Sequence, residues 1–395
     1  MNTTLQTTFL FLAMSTSTFF SPVISWAQDG SATDLRVTHG PLLGRPGPDT
    51  MSLWVRTERP GAVKVFYGIQ KETLNREASI KTTSLEHDYT GIITLNGLEA
   101  NTRYYYRIAD HQLSGSFRTL PKASDFMNPE GNPDGLFNFK FEFACGNNQN
   151  GGGNSAGPTV PVFDTLNQQV RDEVHFAILN GDWLYEQRRD YSPHSWLHQV
   201  GLDSMKEAPH VVQKAPSIVG VWENYKVFLE RGKNLSEWHR HIPSFYTADD
   251  HELLNDIYGA GETGYVNRRA VFRDIGTQAW FDYLAWANPV KHDQPAWFGT
   301  GELQAKSDIL EDPKADFTKL DFKQLANLHV HWGTTTAGVP EAGLDAQPGN
   351  PNAAVYEIVE VLSPTRLRIK PAAKAKGKAD YSIGRRCYGK FTVSN

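Results

Sequence analysis

Three short apolar runs in the middle of this chain each break off into a cluster of polar, chemically capable side chains. No other feature constrains the fold as much. The runs are Phe137-Asn138-Phe139-Lys140-Phe141-Glu142-Phe143-Ala144, Val174-His175-Phe176-Ala177-Ile178-Leu179-Asn180 and residues 242–248. Their alternation, shortness and bounding turn residues predict strands. Residues 160–174, 221–237 and 268–286 carry apolar side chains at helical spacing and predict helices. Strand-helix-strand order implies a parallel sheet covered by helices, because parallel neighbours need a crossover. Ligands of such sheets bind outside the carboxyl ends of the strands. Those ends read Ala144-Cys145-Gly146-Asn147-Asn148-Gln149, Asn180-Gly181-Asp182-Trp183-Leu184-Tyr185-Glu186 and Ala248-Asp249-Asp250-His251-Glu252-Leu253-Leu254-Asn255-Asp256.

A thiol, a phenol, carboxylates, an imidazole and amides thus converge on one crevice. That mixture suits a metal pair better than a Ser or Cys nucleophile. Two cations that share a phosphate need an anionic bridge against their mutual repulsion, and an Asp after Gly on a sharp turn presents both oxygens. Asp182 fits this role, and Tyr185 can turn back to the same ion. A thiolate or phenolate ligand implies a strong Lewis acid such as ferric ion. A harder second ion such as calcium takes oxygen ligands, for which Asp250 and Asn255 are available. Simpler readings stand beside these. Gly-Asp also makes plain turns. Asp249-Asp250-His251 also suits a helix N-terminus. Cys145 has the alternatives of a disulfide with Cys387, the only other cysteine, or a buried apolar role. His239 and His241 read as a solvated helix end. The glycine-rich residues 150–154 lack the Lys and Ser or Thr of a phosphate-binding P-loop and read as a rim. Trp183, Trp196, Trp222, Trp238 and Trp280 read as core.

Before the sheet, residues 33–121 carry short alternating runs such as Met51-Ser52-Leu53-Trp54-Val55 and Val63-Lys64-Val65-Phe66-Tyr67, separated by turns such as Arg59-Pro60-Gly61. That spacing predicts a β-sandwich. The stretch Leu98-Glu99-Ala100-Asn101-Thr102-Arg103-Tyr104-Tyr105-Tyr106-Arg107 resembles the fibronectin type III pattern. Residues 122–136 are rich in Pro, Asn, Asp and Gly and read as a linker. Residues 1–27 carry no charge, contain an apolar run and end on Ser25-Trp26-Ala27, the pattern of a secretory signal peptide. The protein is therefore expected to be secreted or periplasmic, without stable membrane insertion. A net charge of -5 gives no attraction to nucleic acid.

Gly181-Asp182-Trp183-Leu184-Tyr185-Glu186 resembles the Gly-Asp-x-Ile-Tyr-Glu motif of the alkaline phosphatase D family. Asp249-Asp250-His251-Glu252 resembles its Asp-Asp-His-Glu motif, and Cys145 stands where that family has a Cys after the first strand. The resemblance implies a fibronectin-like first domain followed by an α/β metallophosphoesterase domain over residues 137–395. It implies that Asp182 bridges two ions, Fe3+ and Ca2+. Cys145 and Tyr185 would hold the ferric ion, and Asp250 the calcium. Asn255 and Asp249 are further metal or supporting positions. His251 is the implied catalytic residue, beside the scissile phosphate of a small or polymeric ester, with metal-bound hydroxide attacking phosphorus.

Residues 299–349 read as polar and irregular, the stretches 354–361 and 366–369 as strands, and together they predict a β-rich insertion at about 300–385. Residues 389–395 carry a strand pattern with no helix after it. The family's Leu-Asp-x-Arg and Gly-Asp-x-His motifs are not found before Asn395, so the α/β domain is expected to be incomplete. Leu328-His329-Val330-His331-Trp332-Gly333 offers a His-x-His pair as a substitute. The competing expectation is a truncated or non-catalytic exported binding module. If the leader is cleaved after Ala27, the exported protein begins at Gln28. Intact-mass analysis of secreted protein checks this, and retention of residues 1–27 would contradict it.

Overall fold

The computed structural model describes residues 35–80, 84–108, 113–149, 157–255, 257, 261–266, 268–289, 294–331 and 350–393, without the side chains of 268–271. The leader sequence, the glycine-rich 150–154 stretch, Asp256 and Trp332-Gly333 lie outside the described residues.

The first part of the chain is all β. It contains β1 (Val37–Gly44), β2 (Thr50–Thr57), β3 (Val63–Gly68), β4 (Arg76–Ile80), β5 (Thr90–Asn96), β6 (Arg103–Ile108) and β7 (Ser114–Arg118). An antiparallel β1-β2-β5 sheet faces a β4-β3-β6-β7 sheet. Both supply one core, including Leu53 and Ile93 from the first and Val65, Tyr104 and Phe117 from the second. The alternation in β3 explains why: Val63 and Val65 are buried and Lys64 is exposed. The Glu99 N–H donates to the Tyr104 hydroxyl at 3.0 Å, which fixes the corner entering β6.

The next elements are β8 (Phe141–Ala144), α1 (Val162–Gln169), β9 (Phe176–Asn180), α2 (Pro193–Val200), α3 (His210–Lys214), α4 (Ile218–Arg231), α5 (Lys233–His239), β10 (Ser244–Thr247) and α6 (Arg268–Tyr283). The three strands form a parallel sheet with β9 in the centre. Ala144 pairs with Leu179 and Thr247 with Asn180, so the three carboxyl ends lie side by side. The five tryptophans expected in the core are all buried there. His239 departs from expectation. Its ring is fully buried beside Trp183 and Tyr246, and burial pushes its pKa down to about 3. The end of α5 packs into the main apolar cluster through Leu235 and Trp238, so it does not face solvent. His241 is half-buried and bonded to Glu237 and Ser116.

A buried charge network joins the first β part to the helices. Arg56 on β2 makes a bidentate pair with Asp88, through contacts of 3.0 and 3.1 Å. The Tyr283 hydroxyl of α6 donates to Asp88 at 2.5 Å, and Lys226 Nζ of α4 lies 3.8 Å away.

Residues after α6 depart most from the sequence reading. The strands β11 (Trp297–Leu303), β12 (Ile309–Glu311), β13 (Leu325–Val330), β14 (Ala354–Ser363), β15 (Arg366–Lys370) and β16 (Gly377–Arg385) close a barrel in the order β11-β12-β15-β14-β13-β16. The β-rich character of the region is as expected, but its first half is strand where loop was expected. Gly299 and Gly301 lie within β11. A Cβ on Gly301 would sit 2.9 Å from Leu310, and one on Gly299 would sit 2.6 Å from Tyr381, so close packing requires glycine at both. The expected strand at 389–395 is not formed among the described residues. Phe391 instead rests on Phe245 and Phe176, with ring centroids 4.4 and 6.3 Å away, so this tail is held by side-chain packing rather than a ladder. Among the described residues, no helix is long and apolar enough to cross a membrane.

Removing Asp88 leaves the buried Arg56 without its counter-charge, while Lys226 keeps Glu223 at 2.8 Å. Asp88→Ala is expected to destabilise the fold by about 3–5 kcal/mol in urea unfolding. Burial alone would raise the Asp88 carboxyl, but Lys226 and Arg56 pull it from 3.8 down to about 2. A depressed carboxylate stabilises the fold above its unfolded pKa. About 2 kcal/mol of stability should therefore be present above pH ~4 and fade as pH falls toward ~2. Equal acid sensitivity of wild type and Asp88→Asn would contradict this.

Candidate metal centre

The centre begins with two consecutive left-handed residues at the end of β9. Gly181 has φ +72° and Asp182 φ +51°. Glycine adopts this region freely and Asp tolerates it better than most side chains. A Cβ on Gly181 would lie 2.6 Å from Asp249 Cβ and 2.9 Å from Asp249 N. Glycine therefore lets the turn after β9 lie against the turn after β10. The turn after β8 is bound to it as well: the Gly146 N–H donates to Gly181 O at 3.2 Å and the Asn147 N–H to Asp182 O at 2.7 Å.

Glu252 completes the joint. Its fully buried carboxylate accepts the N–H groups of Asp182 at 3.0 Å, Trp183 at 2.6 Å and Asp249 at 2.8 Å. Burial pushes its pKa up to about 7, against the downward pull of these three donors.

On this base Asp182, Asp250 and His251 each present a donor atom, all within 4.8 Å of one another. The Tyr185 hydroxyl donates to Asp182 Oδ2 at 3.2 Å. Among the described residues, Asp182 Oδ1 is buried without a hydrogen-bond partner. An unpartnered buried carboxylate oxygen is costly, and a cation would satisfy it. The donor set of carboxylates, imidazole and phenol fits metal ligation. Burial raises the Asp182 carboxyl; Asp250 and Asp249 add to this and His251 opposes it. Burial and the Asp182 charge push Tyr185 up to about 12. His251 Nδ1 lies 2.7 Å from Glu186 Oε2, and its ring centroid is 4.1 Å from that of Tyr185. Burial would lower the His251 pKa, but the bond to Glu186 and the charges of Glu186, Asp182 and Asp250 together outweigh it, and the net direction is up.

The structure thus brings together Asp182, Asp250 and His251, with Tyr185 bonded to the first. Cys145 is exposed at the end of β8 and lies outside the three-residue group, although its charge would act on the Tyr185 phenol. Asp249 is exposed, and its Oδ1 accepts the Asp250 N–H at 3.0 Å. Asn255 engages through its backbone, donating to Glu186 Oε1 at 2.7 Å. Among the described residues, no helix opens at Asp249-Asp250-His251. A single turn closes there, with the Leu253 and Leu254 N–H groups on Asp250 O. Cys145 and Cys387 are both free thiols, so the disulfide alternative is not realised; Cys387 donates to Arg385 O at 3.4 Å. His329 and His331 lie at the barrel, outside the metal group. His329 Nδ1 bonds Asp274 of α6, and burial pushes His331 down to about 4. Glu186, Arg189 and Glu252 were not assigned from the sequence. The signal was a Glu closing each of two ligand-bearing motifs.

Residues 24–121 match the N-terminal domain of the PhoD-like phosphatases, and residues 140–330 match the PhoD-like phosphatase domain. The chain belongs to the PhoD-like phosphatase family. A solved PhoD structure is similar at 18% identity and TM-score 0.42, covering 64% of this chain and 46% of that one. A purple acid phosphatase isolated from yellow lupin (Lupinus luteus) seeds is similar at 12% identity and TM-score 0.38, covering 65% and 42%. The matched parts span less than half the length of either protein. No curated protein matches the chain.

Glu252→Ala deprives the buried Trp183 N–H and two partly buried N–H groups of their acceptor. Stability in urea is expected to fall by roughly 2–4 kcal/mol. An unchanged unfolding midpoint would show that the joint does not depend on this carboxylate.

Proposed function

We propose that this chain hydrolyses phosphate esters at a two-metal centre built on Asp182. The observation that carries the reading is the buried, unpartnered Asp182 Oδ1 on a left-handed turn, within 4.8 Å of donor atoms on Asp250 and His251. Asp182 would bridge the ions, Tyr185 and Cys145 would serve the first, and Asp250 would serve the second, with Asn255 or Asp249 in support. The donor chemistry favours ferric ion on the phenol and thiol side and calcium on the carboxylate side. When bound, the pair supplies Lewis-acid neutralisation of phosphoryl oxygens and lowers the pKa of water. His251 faces the scissile phosphate and stabilises or protonates the departing oxygen.

The substrate is a phosphomonoester or diester, small or polymeric, met outside the cytoplasm after export. The corner tyrosine Tyr104 and the two facing sheets support reading the first domain as fibronectin type III-like. The parallel β8-β9-β10 sheet supports reading the second as a metallophosphoesterase domain. Purified protein supplied with iron and calcium is expected to cleave p-nitrophenyl phosphate or its bis-ester. Asp182→Ala should lower turnover by about 10²-fold or more, together with metal content. Turnover unaffected by Asp182→Ala would sink the proposal.

A further inference from the structure

A cleft of about 800 Å³ opens between the outer face of the β4-β3-β6-β7 sheet and the ends of α1 and α5. Tyr104, Tyr106 and Ile108 of β6 fill the sandwich core, so Arg103, Tyr105 and Arg107 alternate outward. The two walls are tied together at their base. The Tyr106 hydroxyl donates to Arg240 O at 2.9 Å, and the Ser116 N–H donates to His241 Nδ1 at 3.2 Å. A Cβ on Gly115 would strike Arg240 O, so this close approach needs glycine there. Arg240 and His241 precede β10 and Asp250 follows it, so the cleft lies at the opposite end of the parallel sheet from the metal centre.

Positive charge is in excess in this cleft. Lys71, Arg103, Arg107, Arg171 and Arg240 line it, against Glu72, Asp172 and Glu237. Two of these carboxylates are already engaged. Asp172 meets Arg103 at 2.8 Å, and Glu237 is shared by His241 at 3.1 Å, Arg240 at 3.4 Å and Arg171 at 4.0 Å. Lys71 and Arg107 are exposed and make no ion pair among the described residues. Arg118 stands directly opposite Arg103 on the neighbouring strand, a like-charge pairing that costs stability until an anion offsets it. Arg103 and Arg107 are four positions apart on one face, roughly 13–14 Å along the strand, which is further than one small anion reaches. Guanidinium forks suit phosphate oxygens, and the Ser114 and Tyr105 hydroxyls supply further donors on the same surface. We propose that the cleft is a second binding site, remote from the metal centre, for a flexible chain of linked phosphate groups. The proposal does not rest on the catalytic reading, and its test needs no turnover.

Calorimetric titration of the purified chain with linear inorganic polyphosphate, orthophosphate and polyglutamate tests the proposal. Polyphosphate is expected to bind, more weakly as salt rises, and at least about 10-fold more tightly than either of the others. Lys71→Glu combined with Arg107→Glu should weaken polyphosphate binding by about 10-fold or more. Lys319→Glu combined with Lys378→Glu makes the same charge change on exposed residues of the barrel region and should leave binding unchanged. Asp182→Ala should leave it unchanged too. Should the double reversal in the cleft fail to fold, Lys71→Gln with Arg107→Gln should weaken binding about 3-fold. Absence of polyphosphate binding would overturn the proposal, as would equal weakening by the barrel pair, which reports net charge alone. Loss of binding in Asp182→Ala would place the polymer at the metal centre instead. Orthophosphate or polyglutamate binding as tightly as polyphosphate would contradict a site built for linked phosphates.

Discussion

One buried carboxylate holds the centre in shape. Glu252 takes the N–H groups of Asp182, Trp183 and Asp249 on its two oxygens and so joins the turns that follow two parallel strands. Turns at the end of a sheet have lost their ladder partners, and buried amides there must find other acceptors. A single side chain meets that need and fixes the spacing between Asp182 and Asp250. Gly181 makes the arrangement possible, because any Cβ at that position would strike Asp249. The left-handed Asp182 that follows is a local strain which the surrounding bonds sustain.

The same logic of paired, buried polar groups recurs where the first β part meets the helices. Arg56, Asp88, Lys226 and Tyr283 come from four separate parts of the chain, and the Arg56–Asp88–Tyr283 bonds form only when those parts are assembled. Burying such charges adds little net stability against an apolar alternative, but breaking the set is costly. The network therefore specifies how these elements fit together more than it strengthens the fold. Asp282 acts alongside it, accepting from the buried Trp222 indole at 2.9 Å and from Gln278 at 3.1 Å.

Much of the centre was legible in the sequence because its residues sit at strand ends, and strand ends are marked by local alternation. Asp182, Tyr185, Asp250 and His251 could be named on that ground. Glu186, Glu252 and Arg189 could not, because their partners are backbone groups and side chains more than sixty positions away or held in a particular turn. The barrel was half legible. Gly299 and Gly301 signal a break by local propensity, yet they are demanded by Tyr381 and Leu310 from other strands. His239 shows the same limit: a helix-end histidine looks solvated until the apolar cluster around that helix is known.

Anomalous diffraction from crystals grown with iron and calcium most directly tests whether Asp182 bridges two metal ions. The account predicts an ion peak on each side of the Asp182 carboxylate, at ligand distances of roughly 2.0–2.6 Å, with Asp250 on one of them. Ions absent from Asp182, with Oδ1 hydrogen-bonded to water or protein instead, would contradict it.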